Sequence, residues 1–183
     1  MVEVPVRQQD GDGLEAVGPQ VSELTAGDHV IACLSVFCGQ CDYCLTGKTY
    51  LCQTRPVRAK SEPPKLSWNG QPVNQFANLS AYAEKMLVHE NALVKIDDQM
   101  PLDRAALIGC GVTTGVGAVT NTAKVQPGDN VVVFGLGGIG LNVIQGAKLV
   151  GANRIVGVDI NPAKEEWGRK FGMTDFIDGR NKD

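Results

Sequence analysis

"VVVFGLGGIGLNVIQGAKLVGANRIVGVDINPAK", residues 131–164, decides the fold. The apolar run Val131–Phe134 reads as a buried strand, and "IGLNVIQGAKLV" reads as a helix ended by Gly151. "RIVGVDI" is a second strand. Asn161 then stands where it can cap a further helix, with Pro162 at the first helical position. Ala163, Trp167 and Phe171 recur at helical spacing, and "DFID" (175–178) fits a third strand. Strands alternating with helices imply a parallel sheet with right-handed crossovers.

Between the first strand and its helix lies G-x-G-x-x-G, at Gly135, Gly137 and Gly140, with Gly138 and Ile139 inside it. Such a loop makes a tight turn, lets backbone approach a pyrophosphate, and packs the helix close to the strand. The triplet alone is weak evidence in a chain with 22 glycines. Asp159 strengthens it, because it ends the second strand nineteen residues beyond Gly140, where an acid binds ribose hydroxyls. An acid there also repels a 2′-phosphate, which favours NAD over NADP.

Working outward, "VQPGDNVVVFG" (125–135) enters its strand through a Gly-Asp turn, and "VSELTAGDHVIACLS" (21–35) repeats that grammar. Residues 53–78 read as a long polar loop with one hairpin around Asn69-Gly70. "AYAEKMLVHENALVKI" (81–96) reads as two short strands with a turn near Glu90-Asn91. The small, apolar "LDRAALIGCGVTTGVGAVTNTA" after Pro101 suggests two short helices meeting near Gly111. Composition shifts near 112, the best domain boundary.

Cys38, Cys41, Cys44 and Cys52 are spaced C-x2-C-x2-C-x7-C within residues 37–52. Short spacings bring successive sulfurs to one point, the longer gap closes the fourth side, and Gly39 and Gly47 free the backbone for the wrap. Disulfides fit poorly, since clustered cysteines in a reducing cytosol favour metal or redox roles. Zinc is the first expectation, and an iron–sulfur cluster is the rival. A closed four-thiolate zinc site leaves no open position and is structural.

The 183 residues carry a formal charge of −3, which argues against nucleic-acid or anionic-membrane partners. "MVEVPVRQQDGDG" has no signal-peptide core, and Asn142, Gln145 and Lys148 interrupt the most apolar stretch, 131–151. A cytoplasmic protein with neither membrane nor nucleic-acid partner is expected.

The two motifs, in this order, resemble the zinc-containing medium-chain alcohol dehydrogenases, over most of the chain. "CGQCDYCLTGKTYLC" resembles that family's structural-zinc lobe, "LIGCGVTTGVGAV" the segment entering the cofactor domain, and "VFGLGGIGL" with "VGVDINPAK" its NAD fingerprint. The resemblance implies a partial GroES-like β-rich domain at 1–112, followed by the first half of a Rossmann domain at 113–183. It implies NAD-linked, zinc-dependent hydride transfer between an alcohol and an aldehyde or ketone, in a homo-oligomeric parent enzyme. It assigns Cys110 as a catalytic-zinc ligand, Thr114 to a place beside the nicotinamide, Ile139 to the loop against the cofactor, and Lys164 to the adenosine ribose. By itself a lone cysteine such as Cys110 is more often buried packing.

The family's other catalytic-zinc ligands have no counterpart here. The expected His-Glu falls on Gln8-Gln9, and His29 and His89 read as surface or satisfied structural residues. The chain therefore reads as a dehydrogenase fragment, inactive alone. The alternatives are another medium-chain dehydrogenase, acting on polyols or a thiol–formaldehyde adduct, and a non-catalytic zinc-stabilised binding module.

Overall fold

A computed structural model describes residues 3–7 as backbone, and residues 13–59 and 61–181 in full. Gln8 and Gln9 lie outside the described residues. The chain divides into two compact units, Met1–Ala106 and Leu107–Asp183.

The first unit is built from short antiparallel pairs. Strand β1 (Glu3–Arg7) pairs with β5 (Lys85–His89), β2 (Val30–Ala32) with β6 (Leu93–Lys95), and β3 (Leu66–Trp68) with β4 (Gln71–Val73). The β3–β4 hairpin turns at Asn69 (φ 48°) and Gly70 (φ 76°), the two positive φ values that an Asn-Gly turn is suited to supply. The two strands expected in 81–96 form, but a 3₁₀ turn at Glu90–Ala92 sends them to different partners. Leu14, Leu24, Val36, Met86, Val88, Ala92 and Leu93 form the core.

This unit also holds two short α-helices among the described residues, α1 (Asp42–Leu45) among the cysteines and α2 (Leu102–Ala105) at its end. Asp28 is buried, accepts the Thr25 N–H at 2.9 Å, and pairs with Lys95 Nζ at 2.6 Å. His89 Nδ1 accepts the Asn91 N–H at 3.1 Å, and burial pushes the His89 pKa down. His29 departs from expectation: its buried Nδ1 has no hydrogen-bond partner among the described residues.

In the second unit, α3 (Thr113–Gly117) precedes the parallel strands β7 (Asn130–Phe134), β8 (Arg154–Asp159) and β9 (Asp175–Asp178). These are connected by α4 (Gly138–Leu149) and α5 (Lys164–Phe171). Sheet order is β7-β8-β9, with Val131 opposite Ile155 and Val158 opposite Ile177. Val133, Leu136, Ile144, Ala147, Ile155 and Met173 pack between sheet and helices, with Val119. Val132 and Phe134, on the other face of β7, are exposed.

Two expectations shift. No break occurs at Gly111: wide π-helical turns at Ile108–Val112 and Ala118–Ala123 flank α3. The reason is i→i−5 backbone bonding, in which Val112 N–H donates to Leu107 O at 3.2 Å, and the Thr113 side-chain hydroxyl also donates to the Ile108 carbonyl at 2.5 Å. Second, Asn161 Oδ1 accepts the Ala163 N–H at 3.1 Å, but the regular helix starts at Lys164. Trp167 faces outward, with the Lys170 ammonium 4.9 Å from its ring centre. The run Leu102–Ala123 is long and apolar enough to cross a membrane by length and composition only.

Candidate cofactor and metal sites

The Val131–Phe134 strand delivers the chain to Gly135 at φ 90°, a left-handed turn that a side chain would strain. A Cβ at Gly140 would lie 1.8 Å from the Gly135 carbonyl oxygen, so this glycine is required for the helix to start so close to the strand. At Gly137 and Gly138 a Cβ would meet nothing within 4 Å, leaving open space over the backbone. Gly137 is the N-cap of α4 and offers no side-chain bond to the first turn. The first-turn N–H groups and the positive helix end therefore face an open approach suited to a pyrophosphate.

Asp159, at the end of β8, is fixed by two amides. Its Oδ2 accepts the Leu136 N–H at 2.7 Å and its Oδ1 the Asn161 N–H at 2.8 Å. These bonds, Leu136 foremost, hold the carboxyl below its ordinary pKa, so it stays ionised. A cavity of about 360 Å³ opens here, lined by Phe134, Gly135, Val158, Asp159, Ile160 and Gly179. It lies at the carboxyl ends of adjacent parallel strands, where α/β sheets bind ligands. The expected loop and the expected acid thus share one site, with Lys164 at the start of α5. The donor set and open loop fit a nicotinamide dinucleotide.

Thr114 is exposed on α3, and the neighbouring Gly115 sets its position. A Cβ at Gly115 would fall 2.5 Å from Asn142 Cβ and 2.8 Å from Ile139 O, so α3 lies directly on the start of α4. Thr114 is the residue before this contact, on an α3 that packs against the start of α4, where Ile139 is exposed. Cys110 is exposed in the first π turn and, among the described residues, lies outside any convergent donor group. One donor does not make a catalytic metal site.

The four-cysteine lobe is different. Among the described residues, Cys38, Cys41, Cys44 and Cys52 form the one group of metal donors, with all four sulfurs within 4.8 Å of one another. Separations are 3.5 Å for Cys41–Cys44 and 3.9 Å for both Cys38–Cys44 and Cys41–Cys52. A regular tetrahedron with 2.3 Å zinc–sulfur arms has edges of about 3.8 Å. A multi-iron cluster would place iron and sulfide between the thiolates and needs a wider cage. Gly39 (φ 78°) and Gly47 (φ 76°) take the left-handed backbone the wrap requires.

Amide and hydroxyl donors surround Cys38. Gln40 N–H lies at 3.5 Å, Cys41 N–H at 3.4 Å and Thr54 Oγ1 at 3.1 Å from its sulfur, while Cys38 N–H donates to Cys52 Sγ at 3.3 Å. The Thr54 hydroxyl, followed by the Gln40 amide, pulls the Cys38 thiol down to about 6. Burial and the adjoining Cys41 sulfur push Cys44 up to about 11. Charge on one sulfur opposes charge on the next, and a divalent cation removes that conflict. The residues therefore fit zinc. Sequence reasoning did not find Thr54 or Gly115, since neither belongs to a spacing motif.

Comparison with known proteins shows the family. Residues 13–98 match the alcohol dehydrogenase GroES-like domain, and residues 138–183 match the zinc-binding dehydrogenase family. The chain is 46% identical over 172 residues to S-(hydroxymethyl)glutathione dehydrogenase of Escherichia coli, covering 91% of this chain and 47% of that protein. It is 43% identical over 173 residues to alcohol dehydrogenase-like 6 of Arabidopsis thaliana, covering 92% and 45%. The chain thus spans about half the length of the curated relatives it matches. Among solved structures, benzyl alcohol dehydrogenase from Acinetobacter calcoaceticus superposes with a TM-score of 0.80 at 30% identity, covering 100% of this chain and 57% of that one. An alcohol dehydrogenase zinc-binding domain protein from Burkholderia ambifaria gives 0.83 at 32% identity, covering 93% and 48%. With the two family matches falling on the two units that hold the cysteine lobe and the glycine loop, the chain belongs to the zinc-containing medium-chain alcohol dehydrogenases.

Proposed function

We propose that this chain carries the structural-zinc lobe and the NAD-binding cradle of an alcohol dehydrogenase moving hydride between a small alcohol and its aldehyde or ketone. One observation carries the reading: the open glycine loop at the start of α4 stands beside Asp159, whose carboxylate is already fixed and ionised at the mouth of a cavity. Zinc in such enzymes supplies Lewis-acid polarisation of the alcohol oxygen, and NAD accepts the hydride.

The chain's own residues bind and orient. Gly135, Gly137, Gly138 and Gly140 open the backbone to the pyrophosphate. Asp159 accepts from the adenosine ribose hydroxyls and disfavours a 2′-phosphate. Lys164 is assigned to the same ribose, and Ile139 and Thr114 to the nicotinamide side of the loop. Cys38, Cys41, Cys44 and Cys52 fasten the lobe and take no part in the reaction, because four thiolates close the coordination sphere. Cys110 is assigned as one catalytic-zinc ligand. Among the described residues it lies outside any group of three or more metal donors, and the 183-residue chain alone is expected to bind NAD without turning over alcohols. Homo-oligomeric assembly and a cytoplasmic location remain part of this reading.

A second substrate class, a thiol–formaldehyde adduct, is favoured by the 46% identity to a protein that bears that name. Amide NMR of the isotope-labelled chain tests the cofactor assignment. Added NAD is expected to shift the amides of Gly135–Gly140, Thr114 and Asp159. Shifts confined to other residues would refute it.

A further inference from the structure

Four thiolates around one divalent cation leave a surplus of two negative charges. Those charges must be met by hydrogen-bond donors aimed at the sulfurs, and such outer partners also orient the ligands. In this lobe almost all of that donation comes from backbone N–H groups, which any residue would supply. Thr54 is the exception. Its Oγ1 lies 3.1 Å from Cys38 Sγ, closer than the Gln40 and Cys41 amides at 3.5 and 3.4 Å, and it comes from a side chain.

Its place in the chain matters as much as its distance. Thr54 stands two residues past the fourth cysteine, and Cys38 is the first. Cys38 N–H donates to Cys52 Sγ at 3.3 Å, while the segment just after Cys52 returns a hydroxyl to Cys38 Sγ. The two ends of the lobe are therefore tied reciprocally through the sulfurs themselves. The link spans a sixteen-residue separation that helix α1 does not bridge.

We propose that Thr54 is a positioning residue for the lobe's metal: its hydroxyl holds the Cys38 thiolate in tetrahedral register and withdraws charge from it. The proposal rests on the zinc reading of the lobe. It specifies which side chain beyond the four ligands sets the grip on the metal, and it concerns retention of zinc, separate from dehydrogenase chemistry.

The test uses the full chain with Thr54→Val, which removes the hydroxyl at nearly constant shape, Thr54→Ala, which removes it with less bulk, and Thr54→Ser, which keeps it. Zinc affinity is read by competition with a chelating dye, and cobalt-substituted protein is read by its sulfur-to-cobalt charge-transfer band. Thr54→Val and Thr54→Ala are expected to hold zinc about 10-fold less tightly. Their charge-transfer bands are expected at longer wavelength, because a thiolate without its donor gives up electrons more readily. Thr54→Ser should match the parent in both. Parent-like behaviour of Thr54→Val and Thr54→Ala overturns the proposal, as does a Thr54→Ser chain altered as much as they are. A parent chain that takes up neither zinc nor cobalt overturns the metal reading itself, which separates the two failures.

Discussion

Asp159 reaches the cofactor cradle already committed to two backbone amides, Leu136 and Asn161. It therefore needs no rearrangement to present a charged acceptor to a ribose. Replacing it with Asn removes that charge, and a hydrogen bond to a charged group contributes about 1.5–3 kcal/mol. Asp159→Asn should weaken NAD binding by roughly 10- to 100-fold in calorimetry, narrowing the preference over NADP. Because the same two amides lower the carboxyl's pKa, NAD affinity should stay flat as pH falls from neutrality to about 4. A midpoint near pH 6 in that titration would show that another group controls the site. Asp159 was legible from its distance to Gly140, because the βαβ unit fixes that spacing. Thr54 was not, because a lone threonine in a polar loop declares no partner until the chain has wrapped around the cysteines.

At the scale of elements, the Gly-Asp turns show how far local chemistry carries. "TAGD" and "QPGD" fold alike: Asp28 Oδ2 accepts from Thr25 N–H at 2.9 Å, Asp129 Oδ2 from Gln126 N–H at 2.8 Å, and a strand follows each. The Asn69-Gly70 hairpin was legible for the same reason, since the bonds that specify it lie within a few residues; the third parallel strand, whose partners on β8 lie nineteen residues back, was legible from its place in the strand–helix alternation. The pairing of β1 with β5 joins residues some eighty apart and leaves no periodic mark. The π turns around α3 were hidden too, because small apolar residues permit several helical windings and packing on α4 selects one. Gly115→Val tests that packing. The Cβ alone would fall 2.5 Å from Asn142 Cβ, and overpacking costs about 1–3 kcal/mol, or roughly 2–12 °C of melting temperature for a chain of this size. Displacing α3 also carries Thr114 away, so NADH affinity should fall with stability; a variant that loses stability and keeps full affinity would remove Thr114 from the cofactor's surroundings. In the first unit, Lys95, with the Thr25 amide, lowers the Asp28 pKa. A carboxylate with a depressed folded pKa contributes stability above its unfolded value, near 3.9, and loses it as pH falls through the folded value. Asp28→Asn should therefore destabilise the chain at neutral pH and have a shrinking effect below about pH 4, as followed by thermal melts across that range.

For the whole molecule, the proposed reading divides the labour: a metal would fasten the lobe of one unit, and the glycine loop of the other would take the cofactor. Structural zinc contributes folding energy directly. Stripping the metal with a chelator should expose the amides of residues 37–55 to hydrogen exchange, while α4 and β7–β9 keep their protection. Uniform loss of protection in both units would mean that the metal supports more than its lobe. The conspicuous cysteines converge as four metal donors, whereas the proposed cofactor site rests on glycines whose importance is what they leave empty. The central claim is that the loop at Gly135–Gly140, with Asp159, forms an NAD cradle. Its most direct test is isothermal titration of the zinc-loaded chain with NAD and, separately, NADP. The account expects saturable one-to-one binding of NAD, with NADP at least 10-fold weaker because Asp159 opposes the 2′-phosphate. Equal or tighter binding of NADP, or no heat with NAD from folded, zinc-loaded protein, would contradict it.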